Sequence, residues 1–460
     1  MPDSSYDVIV IGSGPGGYVA AIRAAQLGLK TAVVERDKVG GRCLNYACIP
    51  AKAVLRTADI LSEIDEAGDF GIAVDGRSVD FDKVTERRQK VIGTLVGGVG
   101  GLFKKNRIEV IEGHGAVTSD GNVKIGGNFD GTEIEATKGV IIATGSIPTP
   151  IPGTQFGGRI IGTEEAWALT ELPGRIAVVG CGASGAEIAS AYGRLGSEVL
   201  LFETLDRVLP AEDADISRIA ARTLAKSMSI HTGTPVENVA DQGDKVTFTY
   251  GDEQGEADFL IIAAGRRPDV EGLGLDDAGV KLDDRGLIDV DGAQRTSANG
   301  VYAIGDIVHG PALAHKASDE GIIAAEAIAG LETHPLDYID IPRATFCAPN
   351  VGSFGLTEEQ AREQGMDVVV GKVPYGAVGA GTVYGDRGGM IKIIGDKRYG
   401  ELVGGHIVGM RATELIQELV NAKALEGGFQ EVARTVHGHP TLSEAVMEAA
   451  RAADGWLIHG

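Results

Sequence analysis

The chain has 460 residues and a net charge of −23, with 43% apolar and 23% charged residues, the composition of a water-soluble globular protein of roughly two to four domains. This excludes a disordered chain, a collagen-like repeat and a small disulfide-stapled scaffold. Apolar runs such as Val8–Ile11 and Gly139–Ala143 are far too short to span a bilayer, and the acidic balance argues against nucleic-acid and anionic-membrane partners.

In chain order, Tyr6–Ile11 is a continuous apolar run, as expected of a strand buried on both faces. Gly12-Ser13-Gly14-Pro15-Gly16-Gly17 follows, then an alanine-rich helix predicted at Tyr18–Leu27 and a strand at Thr31–Val34 that ends on Glu35. The pattern returns at Ile176–Val179, with Gly180-Cys181-Gly182-Ala183-Ser184-Gly185, a helix at Ala186–Leu195 and a strand at Glu198–Phe202 ending on Glu203. In both copies the acid lies 23 residues after the first glycine. Two glycine-ended strands, Val140–Gly145 and Leu260–Gly265, close the two units. Val301–Asp306 then leads into a helix at Ala314–Ala329, and Pro335, Pro342 and Pro349 mark a boundary near 340. Beyond it, strands are expected at Met390–Ile394 and Leu402–Val408, and helices at Ala412–Leu425 and Leu442–Ala453. The reading is an α/β chain with two dinucleotide-binding domains and a C-terminal α+β domain. Its expected boundaries are 1–147, 148–270, 271–339 and 340–460.

A lone glycine loop is a weak signal, because such loops also serve close packing. Here each has a strand before it, a helix after it and the distal acid, the context a dinucleotide site requires. Gly12 and Gly180 permit the tight turn. Gly14 and Gly182 let a pyrophosphate reach the backbone, and Gly17 and Gly185 let helix meet strand. Glu35 and Glu203 are placed to accept from a ribose 2′-hydroxyl, which at the second site favours NAD over NADP. Arg207 is the counter-signal.

Cys43 and Cys48 form a C-x4-C pair eight residues past Glu35. A zinc site would need about four ligands, and no second pair or nearby histidine supplies them. A structural disulfide fits poorly with an intracellular chain. A redox-active disulfide fits best, since a helix beginning here would favour a thiolate. Cys181 and Cys347 stand alone and read as small buried apolar residues. His437-Gly438-His439-Pro440-Thr441-Leu442-Ser443-Glu444 offers histidines and a carboxylate five residues away. An acid–base role is open, but spacing alone leaves a helix-capping segment ahead.

Together these segments resemble the flavin-dependent pyridine nucleotide–disulfide oxidoreductases over nearly the whole chain. The most specific stretches are GGRCLNYACIPAK (40–52), ATGS (143–146), YAIGD (302–306), LAHKASDEG (313–321), PRATFCAPNVGSFGLTEEQA (342–361) and HGHPTLSEA (437–445). LAHKA and HPTLSEA point to the lipoamide branch. The resemblance implies FAD on the first unit, NAD on the second, and oxidation of protein-bound dihydrolipoyl groups. It implies that Cys43 exchanges with substrate sulfur, that Cys48 faces the flavin, and that His439, paired with Glu444, is an acid–base group supplied by the other subunit of a homodimer. Cofactor positions implied are Gly12, Gly14, Gly16, Gly17, Glu35, Arg36, Gly41, Arg42, Lys52, Gly115, Ala143, Thr144, Gly145, Asp306 and Ala314, with Gly180, Gly182, Ser184, Gly185, Glu187, Glu203 and Gly265 in the second unit. No metal is expected. The implied partner is the lipoyl domain of a 2-oxo-acid dehydrogenase acyltransferase or a lipoyl carrier protein. The N-terminus lacks the features of a secretory signal, so a cytoplasmic location is expected. The chain departs from the family at Arg42, where a small hydroxyl residue is usual. Ala47 and Ala51 stand where Gly and Ser are usual, and Ser184 replaces a larger apolar residue. Competing readings are a reductase of another disulfide or of a metal ion, and a flavoprotein kept only as a scaffold.

Overall fold

The repeated segments build the same parallel sheet twice. In the computed structural model, which describes residues 2–127 and 131–460, the first sheet runs Glu109–Glu112, Thr31–Glu35, Ser5–Ile11, Thr132–Ile142, Val301–Ala303, all parallel. The second runs Ser229–His231, Glu198–Phe202, Arg175–Val179, Phe259–Ile262, Ile160–Gly162, again all parallel. The spatial order matches although the outer strand comes last along the chain in one sheet and first in the other. Val8, Ile9 and Val10, and Ile176, Ala177 and Val178, are wholly buried, which is why these strands read as unbroken apolar runs.

The helices after the glycine loops span Pro15–Gln26 and Ala183–Leu195. Both start three residues before the predicted positions, because loop residues form their first turn. A long helix at Phe81–Lys105 is absent from the sequence reading. Its second half carries Gly93, Gly97, Gly98, Gly100 and Gly101, which dilute the helical pattern.

The described residues of Met1–Ala53, Asp82–Thr149 and Gly265–Tyr338 form one compact unit, and those of Val54–Phe81, Pro150–Ala264 and Ile339–Gly460 form another. In the first unit, helix Pro15–Gln26 lies against helix Ala314–Ile328. A Cβ on Gly321 would come within 2.6 Å of the Gly16 carbonyl oxygen, so glycine there sets the distance between the helices. In the second unit, an antiparallel sheet runs Arg343–Thr345, Val351–Gly355, Leu402–Val408, Met390–Asp396, Val368–Pro374. Helices Ala412–Ala424 and Ser443–Ala453 bury Ile416, Leu419, Val446 and Ala449 in one core with Phe354, Ile391 and Ile407 of that sheet. Buried Lys392 donates to Asp213 at 2.8 Å and to Asp215 at 2.9 Å, and lies 2.8 Å from Glu358. Its charge is therefore balanced where it is buried. Among the described residues no helix is long and apolar enough to cross a membrane.

Candidate active site

The two glycine loops have matching geometry. Gly12 and Gly180 have φ of +98° and +99°, and a Cβ there would approach the carbonyl oxygens of Ala143 and Ala263 at 2.5 and 2.6 Å. A Cβ on Gly17 or Gly185 would strike the carbonyl of Gly12 or Gly180. Over Gly14 and Gly182 a Cβ would meet nothing within 4 Å, so open space lies at each helix N-terminus, where backbone N–H groups and the helix dipole favour an anion.

Both distal acids are held in one manner. Glu35 accepts from the Ser13 amide at 2.8 Å, the Ser13 hydroxyl at 2.5 Å and the Asp37 amide at 2.9 Å. Glu203 accepts from the amides of Cys181 at 2.8 Å and Leu205 at 3.0 Å. Each carboxylate is fixed yet keeps lone pairs for a ribose hydroxyl. Arg207 lies 3.3 Å from Glu359 and is engaged there. Open second glycines with anchored acids fit two dinucleotides.

The remaining first-unit positions fall into three groups. Gly41, at φ +58°, lies against the loop, since its Cβ would come 2.6 Å from the Gly14 Cα. Gly16 and Gly115 face packing neighbours, Ala317 and Ile11, and the Ala143 amide donates to Ile11 at 2.8 Å. Arg36, Thr144 and Gly145 gather round Asp269. The Thr144 hydroxyl donates to the Asp269 carbonyl at 2.6 Å, the Asp269 amide donates to Gly145 at 2.9 Å, and the Asp269 carboxylate pairs with Arg36. Asp269 went unnoticed because its partner Arg36 is 233 positions away. Asp306 accepts from the Ser146 hydroxyl at 2.6 Å, which in turn accepts from Arg266 at 2.8 Å. Ala314 opens its helix. In the second unit Ser184 is exposed in the first helical turn, and Gly265 has open space around it. Glu187 is buried and accepts from the Phe346 amide at 2.9 Å.

Cys43 lies in the short helix Gly41–Asn45, and Cys48 opens the helix Cys48–Glu66. Both are thiols, neither fully buried, and they share one hydrogen bond. Donation from Cys43 lowers Cys48 to about 7 against the opposing effect of burial, with help from the positive charges of Lys52 and Arg42. The same bond, reinforced by burial, pushes Cys43 far above the ordinary thiol range. The pair therefore loses its first proton from Cys48, which makes one sulfur a resting thiolate and the other a thiol. Arg42 acts on both sulfurs. Cys181 and Cys347 are wholly buried. Burial pushes Cys181 up to about 12 and Cys347 higher still, which leaves both unreactive.

The two histidines of the C-terminal motif differ in what their nitrogens do. His437 places Nδ1 2.9 Å from the Thr435 carbonyl and pairs Nε2 with Glu418. Both partners can only accept, so the ring donates twice, and the Glu418 carboxylate raises its pKa. His439 places Nδ1 2.9 Å from Glu444 Oε1, and Glu444 also accepts from the Thr441 amide at 2.9 Å. A carboxylate only accepts, so Nδ1 carries the hydrogen and Nε2 is the basic nitrogen of the neutral ring. Burial acts to raise the Glu444 pKa, but the bonds from His439 and Thr441 outweigh it and hold the carboxyl ionised below its ordinary range. Spacing alone could not separate the two rings. Their partners do.

The chain matches the family model described as pyridine nucleotide-disulphide oxidoreductase over residues 6–321, and the dimerisation domain of that family over residues 341–450. It is 41% identical to a dihydrolipoyl dehydrogenase of Bacillus subtilis, covering 98% of this chain and 97% of the relative. It is 44% identical to a dihydrolipoyl dehydrogenase of Mycobacterium tuberculosis, covering 99% of each. The solved structure of LpdA from Mycobacterium tuberculosis superposes with a TM-score of 0.90 at 27% identity, over 96% of this chain and 99% of that one. The chain belongs to the pyridine nucleotide-disulphide oxidoreductase family. Its cofactors are FAD and NAD, and it is a disulfide oxidoreductase of the lipoamide dehydrogenase kind.

Proposed function

We propose that the protein oxidises protein-bound dihydrolipoyl groups and reduces NAD, the dihydrolipoyl dehydrogenase reaction. The observation that carries this reading is the Cys43–Cys48 pair itself, two neighbouring thiols joined by one hydrogen bond where the helix Cys48–Glu66 begins. Cys48 is lowered by that bond and by the charges of Lys52 and Arg42, an arrangement suited to dithiol–disulfide exchange.

In the proposed cycle the pair begins as a Cys43–Cys48 disulfide. His439 Nε2 takes a proton from a dihydrolipoyl thiol, while Glu444 holds the ring and stabilises the imidazolium. The substrate thiolate attacks Cys43 Sγ, and Cys48 leaves as a thiolate stabilised by Lys52 and Arg42. After the imidazolium has released that proton to solvent, His439 takes the proton of the second substrate thiol, and the resulting thiolate attacks the substrate sulfur of the mixed disulfide. The lipoyl disulfide closes, Cys43 leaves, and the imidazolium returns a proton to it. Two electrons have passed from the dithiol to the cysteine pair. FAD, when bound, supplies the two-electron acceptor that links this pair to NAD. The first loop with Glu35, together with Asp306, is assigned to FAD, and the second loop with Glu203 to NAD.

The proposal includes a homodimer in which His439 serves the partner's Cys43, a lipoyl domain or lipoyl carrier as substrate, a cytoplasmic location, and domain limits at 147, 270 and 339. An assay with dihydrolipoamide tests it. NAD should be reduced with a specificity constant at least about tenfold above that for NADP, because the Glu203 carboxylate repels a 2′-phosphate. Cys43→Ser and Cys48→Ser should each abolish the reaction and retain FAD. A protein that leaves dihydrolipoamide untouched but reduces another disulfide with NADPH would overturn the reading.

A further inference from the structure

The LAHKASDEG stretch holds two buried charges that the cycle leaves without a task. Lys316 and Glu320 lie one turn apart on helix Ala314–Ile328, 3.1 Å from each other and at 0% side-chain exposure. Both reach the same residue. Glu320 Oε2 accepts from the Gly305 amide at 2.8 Å, and Lys316 Nζ donates to the Gly305 carbonyl at 2.8 Å. Tyr338 completes the group, its hydroxyl donating to Glu320 Oε1 at 2.6 Å while Lys316 lies 5.4 Å from the centre of its ring. Gly305 has φ of +81°, and Asp306 comes next.

The burial of an ion pair is costly, and helix packing alone gives no reason for it, since apolar residues of similar volume would serve as well. What this pair does is grip both backbone groups of one left-handed glycine, and so set the direction of the next side chain. Asp306 is itself tethered at 2.6 Å by the Ser146 hydroxyl. The helix bearing the pair also packs on the phosphate-loop helix through Gly16 and Gly321. We propose that Lys316, Glu320 and Tyr338 are positioning residues that aim the Asp306 carboxylate at bound FAD and tie it to the helix packed on the phosphate loop. This rests on the assignment of Asp306 to FAD.

The test measures FAD release from the holoenzyme and rebinding to the apoprotein by flavin fluorescence, in a double-mutant cycle with Asp306→Asn. Glu320→Gln should weaken FAD binding about tenfold or more, and Tyr338→Phe, which removes a single hydroxyl, by about threefold. In the Asp306→Asn background neither should weaken it further, because the group they aim is gone. Should Glu320→Gln fail to fold, the Tyr338→Phe arm still decides. If Asp306→Asn weakens FAD binding while Tyr338→Phe does nothing, or adds its full effect on top, the positioning role is overturned and Asp306 keeps its place. If Asp306→Asn leaves FAD affinity unchanged, the Asp306 assignment falls and the positioning role with it.

Discussion

At the scale of single residues, the cysteine pair divides its labour through one hydrogen bond. The proton on Cys43 stabilises negative charge on Cys48, and the nearby Lys52 and Arg42 charges add to it. A lowered thiol pKa means that the thiolate is present above about 7 and is lost as pH falls through that value. Iodoacetamide should therefore modify the reduced protein with a midpoint near 7 rather than near 9, as a property of the pair and not of one sulfur. Cys43→Ala removes the donor and should return the midpoint toward the ordinary thiol range. Arg42→Ser should raise it by less, since the guanidinium acts only through its charge. A wild-type midpoint near 9 would remove the asymmetry. The histidines obey the same logic. His437 has an acceptor on each nitrogen, whereas His439 has its carboxylate on Nδ1, so only His439 keeps Nε2 for a substrate proton.

At the scale of elements, each glycine loop separates folding from binding within a few residues. Gly17 has no room for a Cβ beside the Gly12 carbonyl, whereas Gly14 has open space. Gly17→Ala should therefore destabilise the apoprotein, and Gly14→Ala should melt within a few degrees of wild type yet bind FAD at least about tenfold more weakly, because its methyl group occupies the anion's approach. Thermal melts of the two apoproteins, paired with FAD titration, check this. Equal melting losses would mean that Gly14 also serves packing. These loops were legible in the sequence because strand, turn, helix and acid lie within 30 residues, so local pattern carries their meaning. Helix Phe81–Lys105 was not legible, since five glycines in its second half break the pattern and isolated propensity opposes it. Nor were the partners that hold the site residues. Asp269 for Arg36, Tyr338 for Glu320 and Glu418 for His437 lie 233, 18 and 19 positions away, and only the folded chain brings each pair together.

At the scale of the whole molecule, the proposed cycle needs His439 in an enclosed site, yet its side chain is 75% exposed in the single chain. A general base that takes a thiol proton works best with water excluded, and Val436, three residues earlier in the chain, is 93% exposed as well. A surface that projects both an apolar side chain and a prepared base is suited to being covered by a second copy, and the segment belongs to the family's dimerisation domain. In an isologous dimer each partner gives what the other lacks. His439→Gln alone should slow dihydrolipoamide oxidation by about 10²- to 10⁴-fold, the usual range for a lost acid–base group, and Cys43→Ser should abolish it. Mixing the two inactive variants under conditions that exchange subunits decides where the sites lie. If sites are shared, each mixed dimer has one site with both lesions and one with neither. Random reassociation of equal amounts makes half the dimers mixed, so about one quarter of wild-type activity should return. If mixed dimers form, as seen by affinity tags of two kinds on the two variants, and activity stays at the level of the separate variants, each site is built within one chain and His439 acts on its own Cys43 or on nothing.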